Sequence, residues 1–151
     1  MFAELLNDYF FEFKKHFNFI DAATFSSKRD TQSPLDIAFI EGAANSDHDV
    51  VTMLKLRQRA QKVVAIGSCA CTGLPSAQRN TFTPEQIAAI QPILTKFNYP
   101  DQIKPLTQVI PVDAQVPGCP MNLDTFLATV NQLLVDFGHA PIVSKSSTIN
   151  H

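Results

Sequence analysis

Two cysteines in this chain stand in the same setting, each just beyond a strand-like run and a glycine turn. Cys69 follows Gly67-Ser68 in VVAIGSCAC (Val63–Cys71), and Cys119 follows Gly118 in VIPVDAQVPGCP (Val109–Pro120). A third run, LDIAFIEG (Leu35–Gly42), ends on Glu41 and Gly42. Thiolates are soft, strongly donating ligands that suit zinc, copper(I) and iron–sulfur clusters. A carboxylate at the end of a buried strand can handle protons when its surroundings shift its pKa. In a parallel α/β sheet the carboxyl ends of the strands share one edge, where ligands bind. Such a sheet would bring Glu41, Cys69 and Cys119 together, which predicts a metal or redox site. Gly67 would let the backbone turn sharply and leave room for a bulky group. Gly118 and Pro120 would do the same in a turn stiffened by proline. The plainer alternative stays open: buried cysteines acting as small hydrophobes, with Glu41 a solvated rim residue.

Other chemistry is less well supplied. Cys71 lies two residues from Cys69 and is expected to point elsewhere, as a buried structural thiol. The C-x-C spacing is neither a zinc-ribbon nor a thioredoxin signature. Cys69 could be read as a nucleophile, but no histidine is positioned by sequence to activate it. His16, His48, His139 and His151 lack metal spacing. There is no GxGxxG and no GxxxxGK[ST], so a phosphate-binding loop is not indicated. Arg79-Asn80, in a long loop from Thr72 to Phe82, could contact a partner or substrate.

The elements that must position these residues follow from pattern. Phe2, Leu5, Leu6, Tyr9, Phe10, Phe13 and Phe17 recur at helical spacing and form one apolar face, for core packing or for a partner. Asn18–Phe25 reads as a short strand and Ser26–Pro34 as a polar loop. Leu35–Ile40 suits a strand buried on both faces. Ser46 can cap a helix running to about Gln61, with Val50, Val51, Leu54 and the stem of Arg57 as its apolar side. Val63–Ile66 reads as a second buried strand. Thr83-Pro84-Glu85-Gln86 is a capping box that starts a helix ending near Phe97. Val109–Val112 reads as a third strand, irregular because of Pro111. Leu123, Phe126, Leu127, Val130, Leu133, Leu134 and Phe137 mark a last helix, closed by Gly138. This alternation predicts an α/β fold, a three-layer domain with a parallel sheet. One domain is expected over residues 1–143, with a loose tail at 144–151. Such domains usually open on a strand, whereas here the first helix is expected from Met1, so either an unusual fold or a missing opening strand and loop is expected.

Composition narrows the class. The chain has 151 residues, 45% hydrophobic and 17% charged, which suits one ordinary globular domain. A net charge of −2 gives no electrostatic case for nucleic acid or an anionic membrane. No apolar run approaches the ~20 residues that span a bilayer. Glu4 and Asp8 stand where a secretory signal would be basic, so a cytoplasmic protein is expected. Three cysteines cannot all pair within the chain, and in a reducing cytosol burial, catalysis or metal binding are their fates.

Taken together, DIAFIEG (Asp36–Gly42), VAIGSCACTG (Val64–Gly73) and VPGCPM (Val116–Met121) resemble the small, electron-transferring subunits of [NiFe] hydrogenases, the short cytosolic type above all. The related cluster-bearing 20 kDa-type subunit of respiratory complex I shares the pattern. The resemblance implies a flavodoxin-like domain holding a proximal [4Fe-4S] cluster. It also implies a [NiFe] hydrogenase-type large subunit as partner and a flavin or ferredoxin-type electron-acceptor subunit downstream. Carried onto this sequence, Cys69 and Cys119 become cluster ligands. Glu41 falls near the large-subunit interface, and Gly42, Gly67, Cys71, Gly118 and Pro120 lie beside the cluster or that interface. The family's other two ligands come from a cysteine pair ahead of the first helix, and this chain has no cysteine before Cys69. Leu74 also replaces a glycine often found after Gly73. The resemblance therefore implies either an N-terminally shortened chain or a diverged, cluster-free structural or assembly subunit.

Overall fold

A run of β-branched and small apolar residues, Val63-Val64-Ala65-Ile66, forms the centre of the sheet because it can be buried on both faces at once. The computed structural model describes Tyr9, residues 11–22 and residues 29–142. The chain divides into two compact units, Gln32–Met121 and the pairing of Met1–Thr31 with Asn122–His151.

In the Gln32–Met121 unit, β1 (Leu35–Glu41), β2 (Ala60–Ile66) and β3 (Ala114–Val116) make a parallel sheet in the order β1-β2-β3. The α/β class and the parallel sheet are as expected. Residues 63–66 of β2 are buried to 1% exposure or less. β1, an edge strand, is not buried on both faces as its apolar run implied. Ala38 and Ile40 are buried, Ile37 and Phe39 are half-buried, and Asp36 and Glu41 are exposed.

Helix α1 (Asp47–Arg59) is capped by Ser46, whose Oγ accepts the Asp49 N–H at 3.1 Å. Asp47 and Asp49 favour its positive end, and Arg57 and Arg59 its negative end. Its inward face is Val50, Met53 and Leu56, packed on Ala38, Val63 and Ala65. Val51 and Leu54, expected inside, are 46% and 44% exposed. The junction with β2 sets this rotation. The helix stops two residues earlier than expected, and the Arg57 guanidinium donates to the carbonyls of Ala60 (2.7 Å) and Gln61 (2.9 Å).

The third strand lies beyond the place its sequence suggested. Residues 109–112 are not a strand; they follow a short 3-10 turn (Leu106–Gln108), with Leu106 and Ile110 buried in the core. Pro111 has no N–H to give to a ladder. Pairing begins at Asp113, whose own N–H donates to Val63 O at 2.8 Å and whose carboxylate accepts the Val63 N–H at 2.8 Å. Arg57 completes the knot at 2.7 Å. Burial pushes the Asp113 carboxyl up, but the Val63 N–H, the Arg57 hydrogen bond and the charges of Arg57 and Lys62 outweigh it and hold it below its ordinary value.

After β2 comes the short α2 (Gly67–Thr72), then a 3-10 turn over Ser76–Thr81 inside the expected loop, then α3 (Pro84–Lys96). The capping box of α3 is formed as read: Gln86 N–H donates to Thr83 Oγ1, and Gln86 Oε1 accepts the Thr83 N–H at 2.8 Å.

In the other unit, residues 11–16 are helical and α4 spans Leu123–Asp136, with Asn122 Oδ1 accepting the Thr125 N–H. Phe126, Leu127, Val130, Leu133 and Leu134 form its buried stripe, and Gly138 (φ +78°) ends it. Phe13 is buried and meets Phe126 edge-on, with ring centroids 6.0 Å apart. The expected strand at Asn18 is not formed over residues 18–22. Instead the Asp30 N–H donates to Ile20 O at 2.9 Å and Arg29 pairs with Asp21. Phe2, Leu5, Leu6, Phe10, the end of that strand at Ala23–Phe25 and the expected tail from Ser144 lie outside the described residues.

Candidate functional site

The parallel register puts Glu41, Ile66 and Val116 in one row across the sheet. The chain leaves that row through Gly42, Gly67 and Pro117, so three exits share one edge. Gly67 takes φ +81° and opens α2 at once. Gly118 takes φ +118°, and a Cβ there would fall 2.6 Å from Pro120 O, so glycine is required on both counts. A bridge between Gly118 and Met121 closes the turn around Cys119. The Ser68 N–H donates to Gly118 O at 3.2 Å, which ties one cysteine turn directly to the other.

The thiols differ in setting. Cys119 is exposed at the tip of its turn, before a cis bond to exposed Pro120. Cys69 is half-buried against Ala43, Ala77 and Ile103, with Ser76 Oγ 3.5 Å from its sulfur. Cys71 is buried in the core and its S–H donates to Ala65 O at 3.5 Å. Burial pushes the Cys71 thiol up, offset in part by a hydrogen bond from the Val116 backbone. Glu41 is exposed, and Gly42 beside it takes φ +98° with open space where a Cβ would stand.

A frame of backbone bonds holds the Cys69 side of this edge. Gly73 caps α2 with φ +82°, its N–H on Cys69 O at 2.9 Å, and Ala77 N–H donates back to Gly73 O at 2.7 Å. Asn80 closes the 3-10 turn onto the Ile103 backbone from both ends of its amide, at 2.7 and 2.9 Å. Lys104, next in the chain, bridges to Ala44 just beyond Gly42. Arg79 donates to Pro100 O and lies over the Tyr99 ring, 5.7 Å from its centroid. The Arg79-Asn80 pair, read as a contact for a partner or substrate, therefore braces the loop. Ser76 escaped the sequence reading. It stands seven residues from Cys69 with no motif around it, and only the fold-back at Gly73 brings it near the sulfur.

The soft donors at this edge are of the type that an iron–sulfur cluster takes. Cys69 and Cys119 offer two thiols on adjoining glycine turns, whereas a [4Fe-4S] cluster commonly takes four thiolates. Among the described residues no three His, Cys, Asp or Glu side chains are grouped to hold a metal ion. Two ligand positions of such a cluster are thus not supplied by the described residues.

Residues 2–133 match the model of a family described as NADH ubiquinone oxidoreductase, 20 Kd subunit. The chain belongs to this family. Among curated proteins it is similar to a subunit of the F420-non-reducing hydrogenase of Methanothermobacter thermautotrophicus, at 31% identity over 72% of this chain and 40% of that one. The delta subunit of sulfhydrogenase 2 of Pyrococcus furiosus is 26% identical over 74% of this chain and 45% of its own length. The delta subunit of the NAD-reducing hydrogenase HoxS of Cupriavidus necator is 23% identical over 65% and 54%. The matched region thus spans about half or less of each of these relatives. The fold also matches a chain in the crystal structure of an NAD+-reducing [NiFe]-hydrogenase in the H2-reduced state. That match has a TM-score of 0.72 at 20% identity, over 95% of this chain and 87% of that one. Family membership and hydrogenase-subunit relatives bear out the resemblance drawn from the three motifs.

Proposed function

We propose that this chain is an electron-relaying small subunit of a hydrogenase-type oxidoreductase complex, in which Cys69 and Cys119 hold one side of a [4Fe-4S] cluster. The observation that carries this reading is the hydrogen bond from Ser68 N–H to Gly118 O, which joins the two cysteine turns at the carboxyl edge of the sheet. The family and its hydrogenase-subunit relatives support it. When bound, such a cluster supplies one-electron transfer, tuned by hydrogen bonds to sulfur and by exposure. The chain would form no bonds in a substrate and would hold no complete active site alone. Its partner would be a [NiFe]-type large subunit, with a flavin or ferredoxin-type subunit as acceptor. Exposed Glu41, the open space at Gly42 and exposed Pro120 suit that contact edge. Three free cysteines support a reducing, cytoplasmic setting. Among the described residues no helix is long and apolar enough to cross a membrane.

The test is iron and acid-labile sulfide per chain in the anaerobically purified complex, with Cys119→Ala beside it. About four of each per chain, lost in the variant while the partner's metal site stays assembled, is the expected result. Cluster content unchanged by Cys119→Ala would sink the assignment.

The incomplete donor set among the described residues favours a second reading, a cluster-free structural or assembly subunit. It predicts a colourless chain that still co-purifies stoichiometrically with a large subunit.

A further inference from the structure

We propose that Ser76 is a positioning residue for the Cys69 sulfur, donating its hydroxyl to the thiolate and thereby raising the reduction potential of the group that Cys69 holds. This rests on the cluster reading above.

The geometry begins with the contact itself: Ser76 Oγ lies 3.5 Å from Cys69 Sγ, within hydrogen-bond reach for sulfur. In a free thiol either atom can donate. A metal-bound thiolate has no S–H and can only accept, so ligation leaves one direction, from the serine O–H to the sulfur. Cys69 packs on the apolar cluster of Ala43, Ala77 and Ile103, and Ser76 makes the one hydrogen bond found at its sulfur among the described residues. The serine is therefore the one hydrogen-bond donor side chain that the described residues place at this sulfur.

The contact is also held in place. Ser76 opens the 3-10 turn, which Gly73 folds back over α2 and Asn80 pins to Ile103. Gly73 has no room for change, since a Cβ there would fall 3.0 Å from the Ala77 Cβ. The backbone that carries the exposed Ser76 is thus pinned on both sides, which sets the hydroxyl beside the ligand it is to tune. An added electron makes the ligand sulfurs more negative, and a donor pointed at one of them stabilises that state. Cys119, exposed on the opposite turn, has no hydrogen bond to its sulfur among the described residues. The two ligands of this chain would accordingly be electronically unequal.

The experiment is an EPR-monitored redox titration of the anaerobically purified complex, comparing the parent with Ser76→Ala and Ser76→Thr, each first assayed for iron and sulfide. The expected result is full cluster content in all three, a potential shifted to more negative values in Ser76→Ala, and a potential near the parent's in Ser76→Thr. An unchanged potential in Ser76→Ala at full cluster content overturns this proposal and leaves the cluster assignment standing. Absence of iron and sulfide from the parent complex overturns both. An equal shift in Ser76→Ala and Ser76→Thr also overturns it, because a general disturbance of the turn rather than the hydroxyl would then be responsible.

Discussion

Asp113 shows how much one side chain can organise here. Its carboxylate accepts from the Val63 backbone and from Arg57, while its own N–H starts the β2–β3 pairing. Asp113→Ala would leave a strand N–H without its partner and is expected to cost about 1–3 kcal/mol in denaturant unfolding. Its carboxyl is held below the ordinary value. This stabilisation is therefore present above the unfolded-state pKa of about 4 and is lost as pH falls through the lower folded value. Asp113→Asn should flatten that acid limb of a stability-versus-pH curve, and an unchanged limb would contradict the assignment. The cysteines are separable by exposure. In the metal-free chain, iodoacetamide should label Cys119 first, Cys69 more slowly and Cys71 only on unfolding, as read by peptide mass mapping. Early labelling of Cys71 would mean that it does not sit in the core.

At the level of elements, two of the positive-φ glycines at the site edge, Gly118 and Gly42, make different predictions. Gly118→Ala would meet backbone 2.6 Å away as well as a strained φ, and should disturb the Cys119 turn by at least the ~1–3 kcal/mol of such strain. Gly42→Ala meets open space and should cost only the roughly 1–2 kcal/mol of left-handed backbone. Equal costs in thermal unfolding would show that the Gly118 turn adjusts freely. Thr83→Ala removes one arm of the α3 capping box and is expected to cost about 1 kcal/mol. Elements with local signals were legible in the sequence: Ser46, Thr83-Pro84, the apolar run of β2, and Gly138. Elements decided by distant partners were not. The inward face of α1 is Val50, Met53 and Leu56, which leaves Val51 and Leu54 outside. The strand expected at Val109 moved to Ala114 because Asp113, not Val109, meets Val63.

For the whole molecule, all of the candidate site falls within Gln32–Met121, while Phe13 and the α4 stripe serve the other unit. Phe13→Ala should cost about 3–5 kcal/mol, the price of an emptied aromatic site, measured by chemical denaturation. That the turns after Glu41, Ile66 and Val116 leave one sheet edge was legible, because parallel strands put their ends together whatever lies between. Ser76 was not, since its place depends on a fold-back that no spacing encodes. The bond between Ser68 and Gly118 also joins segments that are distant in the chain. The two turns are about fifty residues apart in sequence, and closing so long a loop has an entropic cost that the β2–β3 pairing helps to offset. On a ribosome the first thiol emerges well before the second. A chain made only as far as α2 carries Cys69 and Cys71 without Cys119, so the paired turns exist only once β3 is in place.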